Sequence, residues 1–260
     1  MAFPPFNLTG KVALITGGNS GIGLGMATGL AQAGADICIW GTNPAKNEAA
    51  LAALAVHGTR VHGLLCDVGD EAAVERAFAE SLDVMGRVDG CFANAATGHR
   101  GVPFETIETA DWQHILNVNL NGAFYTFRAA ARHMKARAAA GDPGGRLIGT
   151  ASLAAVSGQA RGEHYAATKG AMVSMIKALA VEYARHGITA HALLPGWIET
   201  PLTDAALTND KFIAGVMPRI PMRRWGTGAD FAGIAIYLMS DASAYHTADT
   251  FIIDGGYYAF

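Results

Sequence analysis

Apolar residues in this chain fall into two alternating patterns, short unbroken runs and longer stretches with helical spacing. Lys11-Val-Ala-Leu-Ile-Thr16, Asp36-Ile-Cys-Ile-Trp40, Val61-His-Gly-Leu-Leu65 and Gly90-Cys-Phe-Ala93 are runs of the first kind. Short, apolar and bounded by turn residues, they read as buried parallel strands. Helical stretches separate them. One runs to about Ala33, and a second is opened by Pro44 and runs to about His57. A third carries Ala73, Val74, Ala77, Phe78 and Leu82 on one face. The alternation predicts an α/β fold, a doubly wound, open parallel sheet with helices on both faces.

The second half continues the alternation. A long helix is predicted from about Ala110 through Asn119 towards Met134, and a loop from Ala138 to Gly145 leads into Arg146-Leu-Ile-Gly149. That short run reads as a strand with Ser152 at its end. Tyr165 opens a helix that extends to about Arg185, Thr189 to Leu194 is a sixth strand, and a last helix spans about Ala229 to Met239. Thr250 to Ile253 closes the sheet. Residues 200–222 have no neighbouring strand and read as a substrate lid, or as a helical excursion on the surface. No internal repeat or low-complexity linker divides the chain, so residues 1–260 are expected to form one domain.

The first strand runs into Thr16-Gly-Gly-Asn-Ser-Gly-Ile-Gly23 and then a helix. Glycine lets the backbone turn sharply and approach a pyrophosphate closely, and the helix N-terminus offers unpaired N–H groups. A structural turn without a ligand has the same composition. Ligands on open parallel sheets bind beyond the carboxyl ends of the strands. Gly17, Thr42, Asp67 and Asn94 all fall at such ends and would line one crevice.

Tyr165 and Lys169 are four apart on a predicted helix, which brings their side chains to one face, about 5–6 Å apart at Cβ. An ammonium beside a phenol favours the phenolate, so Lys169 is expected to lower the pKa of Tyr165. Tyr165 would then give a proton to a carbonyl oxygen or take one from an alcohol, with Ser152 bonded to the same oxygen. A packed tyrosine beside a solvated lysine would show the same spacing. Asn119 lies inside a predicted helix, where asparagine is a poor former, and would bind backbone and a buried water.

Composition narrows the classes. Of 260 residues, 51% are hydrophobic and 16% charged, enough for a large core. A net charge of −3 gives no electrostatic case for nucleic acid or an anionic membrane. No apolar run reaches the roughly 18 residues of a membrane span. The start, Met-Ala-Phe-Pro-Pro-Phe-Asn, lacks a basic region followed by an apolar core, so it is not read as a signal peptide. Cys38, Cys66 and Cys91 have no metal-ligand spacing and read as core residues of a cytoplasmic protein. No His-x-x-x-His pair occurs, so no metal site is expected.

In their order and spacing these motifs resemble the short-chain dehydrogenase/reductase family, from Asn7 to Gly256. The resemblance rests on Thr16-Gly17-x-x-x-Gly21-Ile22-Gly23, Asp67-Val68, Asn94-Ala95, Asn119, Ser152, Tyr165-x-x-x-Lys169, Pro195-Gly196 and Asp254-Gly-Gly256. It implies a Rossmann-type domain binding NAD(P). Gly17, Asn19, Ser20, Gly21, Ile22 and Gly23 would cradle the pyrophosphate, with Asp67 and Val68 at the adenine and Asn94, Ala95 and Ala96 along its ribose. Lys169 would also hold the nicotinamide ribose and Asn119 a relay water. Pro195, Gly196, Ile198 and Thr200 would fix the nicotinamide end. Tyr165 would be the general acid/base, Ser152 its partner on the substrate oxygen, and the cofactor would supply the hydride.

Two positions depart from the family pattern. Ala93-Asn94-Ala95-Ala96 stands where Asn-Asn-Ala-Gly is common. Gly41 stands where an acid would bind the adenosine ribose diol and repel a 2′-phosphate. Thr42 and Ser20 stand where a base would attract that phosphate. With Thr42 and Asn43 able to hydrogen-bond and Lys46 nearby, the balance leans slightly to NADP(H).

The substrate pocket is expected among Thr97 to Arg100, Leu153, Ala154, Gln159, Glu163, His164, Trp197 and the lid, with Met217 and Met222. It leaves both polar and apolar substrates open. The aromatic tail Tyr257-Tyr-Ala-Phe260 would pack on another subunit, in keeping with the tetramers usual in the family. The expectation is an NAD(P)-dependent oxidoreductase that interconverts a secondary alcohol and a ketone. The alternatives are a reductase of ketoacyl groups on a carrier protein, docking on Arg132, Lys135, Arg137, Arg219, Arg223 and Arg224, or a non-catalytic cofactor-binding scaffold. Enoyl reductases usually space tyrosine and lysine more widely, which argues against that activity.

Overall fold

In the computed structural model, residues 4–98 and 101–260 are described. Seven parallel strands form one sheet in the order β3-β2-β1-β4-β5-β6-β7. They are β1 (Val12–Thr16), β2 (Asp36–Gly41), β3 (Val61–Leu65), β4 (Gly90–Ala93), β5 (Gly145–Thr150), β6 (Ile188–Pro195) and β7 (Thr250–Ile253). The helices are α1 (Gly21–Gln32), α2 (Pro44–Ala55), α3 (Glu71–Met85), α4 (Thr109–Leu116), α5 (Gly122–Ala139), α6 (Glu163–Tyr183), α7 (Asp204–Leu207), α8 (Asp210–Val216) and α9 (Ala232–Met239).

The strand periodicity sorts the core into two layers. Val12 and Leu14 of β1 share one layer with Phe78, Phe127 and Ile176 of α3, α5 and α6. Ala13 and Ile15 point the other way, to Met26 and Leu30 of α1 and Leu238 of α9. Because both faces are covered, β1, β4, β5 and β6 are buried throughout, which is why they read as unbroken apolar runs. The strand order reverses beside β1, between β2 and β4, and that switch point opens a crevice at the carboxyl ends.

Among the boundaries that differ from the sequence reading, three stand out. The helix expected from Ala110 to Met134 is interrupted by a π turn over Asn117–Asn121. Ser152 lies past the end of β5 and caps a short 3-10 turn, its hydroxyl accepting from the Ala154 N–H at 3.1 Å. The last helix begins at Ala232, after a separate 3-10 turn over Gly228–Phe231. Cys38, Cys66 and Cys91 are buried free thiols; burial pushes the Cys38 thiol up to about 11 and the Cys66 thiol to about 12.

Candidate active site

The turn between β1 and α1 is built by backbone conformations that side chains resist. Gly17 and Gly21 have φ of 63° and 51°, and a Cβ on Gly21 would lie 2.8 Å from Thr200 Cγ2. Ser20 stands at the α1 N-cap in extended conformation without a side-chain capping bond. The first amides of α1 therefore face the crevice open to an anion. Asn94 braces this turn from β4, its Nδ2 donating to the Thr16 carbonyl at 3.1 Å and the Gly17 carbonyl at 3.4 Å. The Thr16 hydroxyl accepts from the N–H groups of Asn94 and Ala95, both at 3.0 Å.

The crevice holds a cavity of about 580 Å³, a size suited to a cofactor. Its wall includes Gly17, Asn19, Ser20, Gly21 and Ile22 from the glycine turn and Thr42, Asn43 and Lys46 from the start of α2. Asp67, Val68, Asn94, Ala95 and Ala96 follow from the next strand ends, then Ser152, Tyr165 and Lys169, and Pro195, Gly196, Ile198 and Thr200 after β6. Gly23 is not on the wall; it packs beneath the turn, where a Cβ would meet the Gly17 carbonyl at 2.2 Å. Asn119 also stands behind the wall. Sequence reasoning missed Trp40, Cys66, His114, Val118 and Thr150, which reach the cavity from strand ends and from α4 and the π turn without any motif to mark them.

At the end of the crevice beside β2, Asn19 Nδ2 donates to Asn47 Oδ1 at 2.7 Å. Asn47 in turn donates to the carbonyls of Gly41 (3.3 Å) and Leu64 (3.1 Å). A Cβ at Gly41 would fall 2.2 Å from the Asn19 amide nitrogen and 2.4 Å from Asn47 Oδ1. The glycine is thus required by a side-chain bridge that no sequence pattern announced.

The chemistry gathers on α6. Lys169 is 1% exposed and its Nζ donates to the Thr150 carbonyl at 2.8 Å. The same ammonium lies 5.5 Å from the centroid of the Tyr165 ring. Burial pushes Lys169 down to about 8 and the Tyr165 phenol above its usual range, while the hydrogen bond with Ser152 pulls the phenol back down. The expectation that Lys169 holds the phenol low is therefore not met in the protein alone. Both groups sit in a low-dielectric wall, where charging either one is costly. Asn119 is fully buried; its Oδ1 accepts from the Thr97 N–H at 2.8 Å and its Nδ2 donates to the Thr97 carbonyl at 3.0 Å.

A second cavity of about 370 Å³ adjoins the first, sharing Ser152, Tyr165, Pro195, Gly196, Leu202 and Thr203. Gly98, Leu153, Ala154, Gln159 and Trp197 line it as expected. Glu163 does not, its carboxylate accepting from the Arg161 N–H, and His164 is buried off the cavity. Met217 and Met222 are also off the wall, and Met222 is 66% exposed. His99 and Arg100 lie outside the described residues. Residues 200–222 hold α7, α8 and a 3-10 turn over Met217–Arg219; Leu202, Thr203 and Ala206 line the cavity, and the Phe212 ring packs edge-on to Trp197 at 4.8 Å. Tyr257 of the tail turns into this cavity, leaving Tyr258 and Phe260 exposed.

The family model that matches residues 17–258 is described as Enoyl-(Acyl carrier protein) reductase. The chain is 36% identical to the 3-oxoacyl-[acyl-carrier-protein] reductase FabG of Chlamydia pneumoniae, over 96% of this chain and 97% of that protein. It is 34% identical to the 2-dehydro-3-deoxy-D-gluconate 5-dehydrogenase of Escherichia coli K12, over the whole of both. A solved gluconate 5-dehydrogenase from Burkholderia cenocepacia J2315, in complex with NADP and tartrate, superposes with a TM-score of 0.91 at 36% identity, over 98% of each chain.

Proposed function

The chain belongs to the short-chain dehydrogenase/reductase family, and from that premise we propose that it interconverts a secondary alcohol and a ketone using NADP(H), with Tyr165 as the proton donor and acceptor. One observation carries the reading: Ser152 and Tyr165 line both cavities, so a carbonyl in the smaller one meets the phenol beside the larger one. The larger cavity fits a dinucleotide because its glycine turn leaves α1 amides uncapped where a pyrophosphate would sit. The nicotinamide, when bound, supplies or takes the hydride.

The remaining steps fall to the chain's own residues. Ser152 positions the substrate oxygen beside Tyr165. Burial keeps Tyr165 a neutral phenol, which suits it to protonate a developing alkoxide in ketone reduction. Lys169, anchored on the Thr150 carbonyl, places a positive charge beside the phenol as it releases its proton. Asn119 holds the Thr97 backbone, fixing the strip of wall that separates cofactor from substrate.

The choice of NADP(H) is supported by Thr42, Asn43 and Lys46 on the wall and by the lack of room for an acid at Gly41. A titration of NADPH and NADH onto the wild type and Lys46→Ala, at one ionic strength, tests it. NADPH should bind more tightly, and the lysine variant should lose about tenfold on NADPH alone. If neither dinucleotide binds, the enzyme reading ends, and the cofactor-binding scaffold with it. Reduction of carrier-bound ketoacyl groups is the weaker alternative. Arg132, Arg137 and Arg224 of the supposed docking surface are already paired with Glu75, Asp89 and Asp230. Residues 200–222 are proposed to close over bound substrate. A cytoplasmic homotetramer is proposed as the working assembly, supported by the exposed Tyr258 and Phe260.

A further inference from the structure

The far wall of the smaller cavity carries a polar group that the reaction does not use. Asp254 turns the chain's end back towards the lid, its Oδ1 accepting from the Gly256 N–H at 2.8 Å and its Oδ2 from the Tyr258 N–H at 2.7 Å. Gly256 adopts φ of 90° beneath Pro221, where a Cβ would meet the proline ring at 2.9 Å. This delivers Tyr257 into the cavity that Ser152 and Tyr165 also line. Arg219, in the turn that follows α8, stacks on the Tyr257 ring with its guanidinium carbon 4.3 Å from the centroid, and its Nη1 donates to the phenol oxygen at 2.7 Å.

Two consequences follow. The phenol oxygen is occupied as an acceptor, and its own O–H meets no acceptor among the described residues. A donor polarised by a cationic neighbour is a stronger donor, and its best acceptor is an anionic oxygen. Arg219 is also free of any acid within ion-pair reach among the described residues, unlike Arg224, which is held by Asp230. Apart from Ser152 and Tyr165, which serve the reacting oxygen, the other hydroxyls on this wall are committed inward. Ser157 donates to the Leu153 carbonyl at 2.9 Å, and Thr203 to the Ile198 carbonyl at 2.5 Å.

We propose that Tyr257, held by Arg219, is a specificity-determining residue that donates a hydrogen bond to the carboxylate of a hydroxy- or keto-acid substrate, at the end remote from the reacting carbon. The proposal rests on the reading of the chain as an alcohol–ketone oxidoreductase. It also ties the tail to the lid, since the two residues come one from each.

The test compares wild type, Tyr257→Phe and Arg219→Met, with NADPH as reductant and 5-keto-D-gluconate and cyclohexanone as probes. The phenylalanine variant keeps the ring and removes only the hydroxyl. Its KM for the keto acid should rise about tenfold or more, the range of one hydrogen bond to a charged group, with kcat and the cyclohexanone parameters unchanged. Arg219→Met should lose part of the same preference. Equal losses on both ketones, no loss on either, or a wild type that prefers cyclohexanone overturns the proposal. Should the wild type reduce neither ketone, the alcohol–ketone reading is what fails. Calorimetric titration of gluconate onto the NADP-loaded protein then decides the proposal by itself: affinity weakened about tenfold in Tyr257→Phe upholds it, and unchanged or undetectable binding ends it.

Discussion

Asn119 grips Thr97 from both sides, with the Thr97 N–H donated to Oδ1 at 2.8 Å and the Thr97 carbonyl accepting from Nδ2 at 3.0 Å. The π turn over Asn117–Asn121 carries the asparagine, and a wider helical turn of this kind is a common device at functional sites. Replacing it by alanine leaves two backbone groups without partners, at a cost of about 1–3 kcal/mol for each that stays dry. Asn119→Ala is therefore expected to unfold at lower urea concentration by the equivalent of at least ~2 kcal/mol, and to bind NADPH more weakly. Asn119→Asp keeps the acceptor but sets a buried carboxylate oxygen against the Thr97 carbonyl, so at neutral pH it should recover none of the lost stability. Equal midpoints for wild type and alanine variant would show that the clasp is incidental.

Placing an acid at the end of β2 is the obvious way to redirect the chain to NADH, and here it should not succeed. The Cβ of Gly41→Asp would land inside the Asn19–Asn47 bridge, 2.2 Å from one amide and 2.4 Å from the other. Overpacking of that kind typically costs about 1–3 kcal/mol. The variant is expected to melt several degrees lower and to lose NADPH affinity, with NADH affinity gaining less than about tenfold. A clean switch to NADH at an unchanged melting temperature would mean that the bridge yields freely.

Burial raises the Tyr165 phenol, and this sets the sign of the pH dependence. Reduction needs the neutral phenol and should hold level through neutral pH, falling only when the phenol ionises. Oxidation needs the phenolate, so its kcat/KM should still be climbing at pH ~10, the ordinary value for a phenol. Tyr165→Phe should lower turnover at least ~10²-fold in both directions. If the oxidation profile levels off near pH 7 in the cofactor-bound enzyme, the ammonium of Lys169 outweighs burial once the cavity is filled.

The central strands were legible because both of their faces are buried, leaving unbroken runs such as Gly90 to Ala93, whose bounds the structure repeats; the half-buried edge strands, Val61 to Leu65 and Thr250 to Ile253, were marked by their apolar, β-compatible residues. Residues at strand ends were legible for the same reason, since a parallel sheet brings all its carboxyl ends to one edge. What escaped was set by side chains meeting across the fold. The π turn depends on Asn119 finding Thr97, and the need for glycine at position 41 depends on Asn19 finding Asn47. The tail was read as apolar because tyrosine and phenylalanine dominate it, whereas Tyr257 is defined by an arginine far away in sequence. Glu163 and His164 were expected in the pocket, but on α6 they stand off its wall.

His191 should set part of the acid limit of the fold. Its ring is fully buried in β6, edge-on to His246 at 4.9 Å and 5.5 Å from Phe251. Nε2 must donate to the His246 carbonyl at 2.8 Å, since a carbonyl only accepts, and Nδ1 has no partner among the described residues. Burial pushes the imidazole down to about 4, with Arg146 also opposing its charge and Asp249 partly favouring it. The unfolded chain then takes up a proton near pH ~6.5 that the folded chain refuses until about 4, so stability falls as the pH drops through that window. The fall should reach about 3 kcal/mol between those limits. His191→Leu cannot titrate there; it should be less stable at neutral pH for want of the Nε2–H bond, yet lose less on acidification. Urea unfolding of both proteins at pH 7, 5.5 and 4 measures the two slopes, and parallel slopes would remove His191 from the account of acid unfolding.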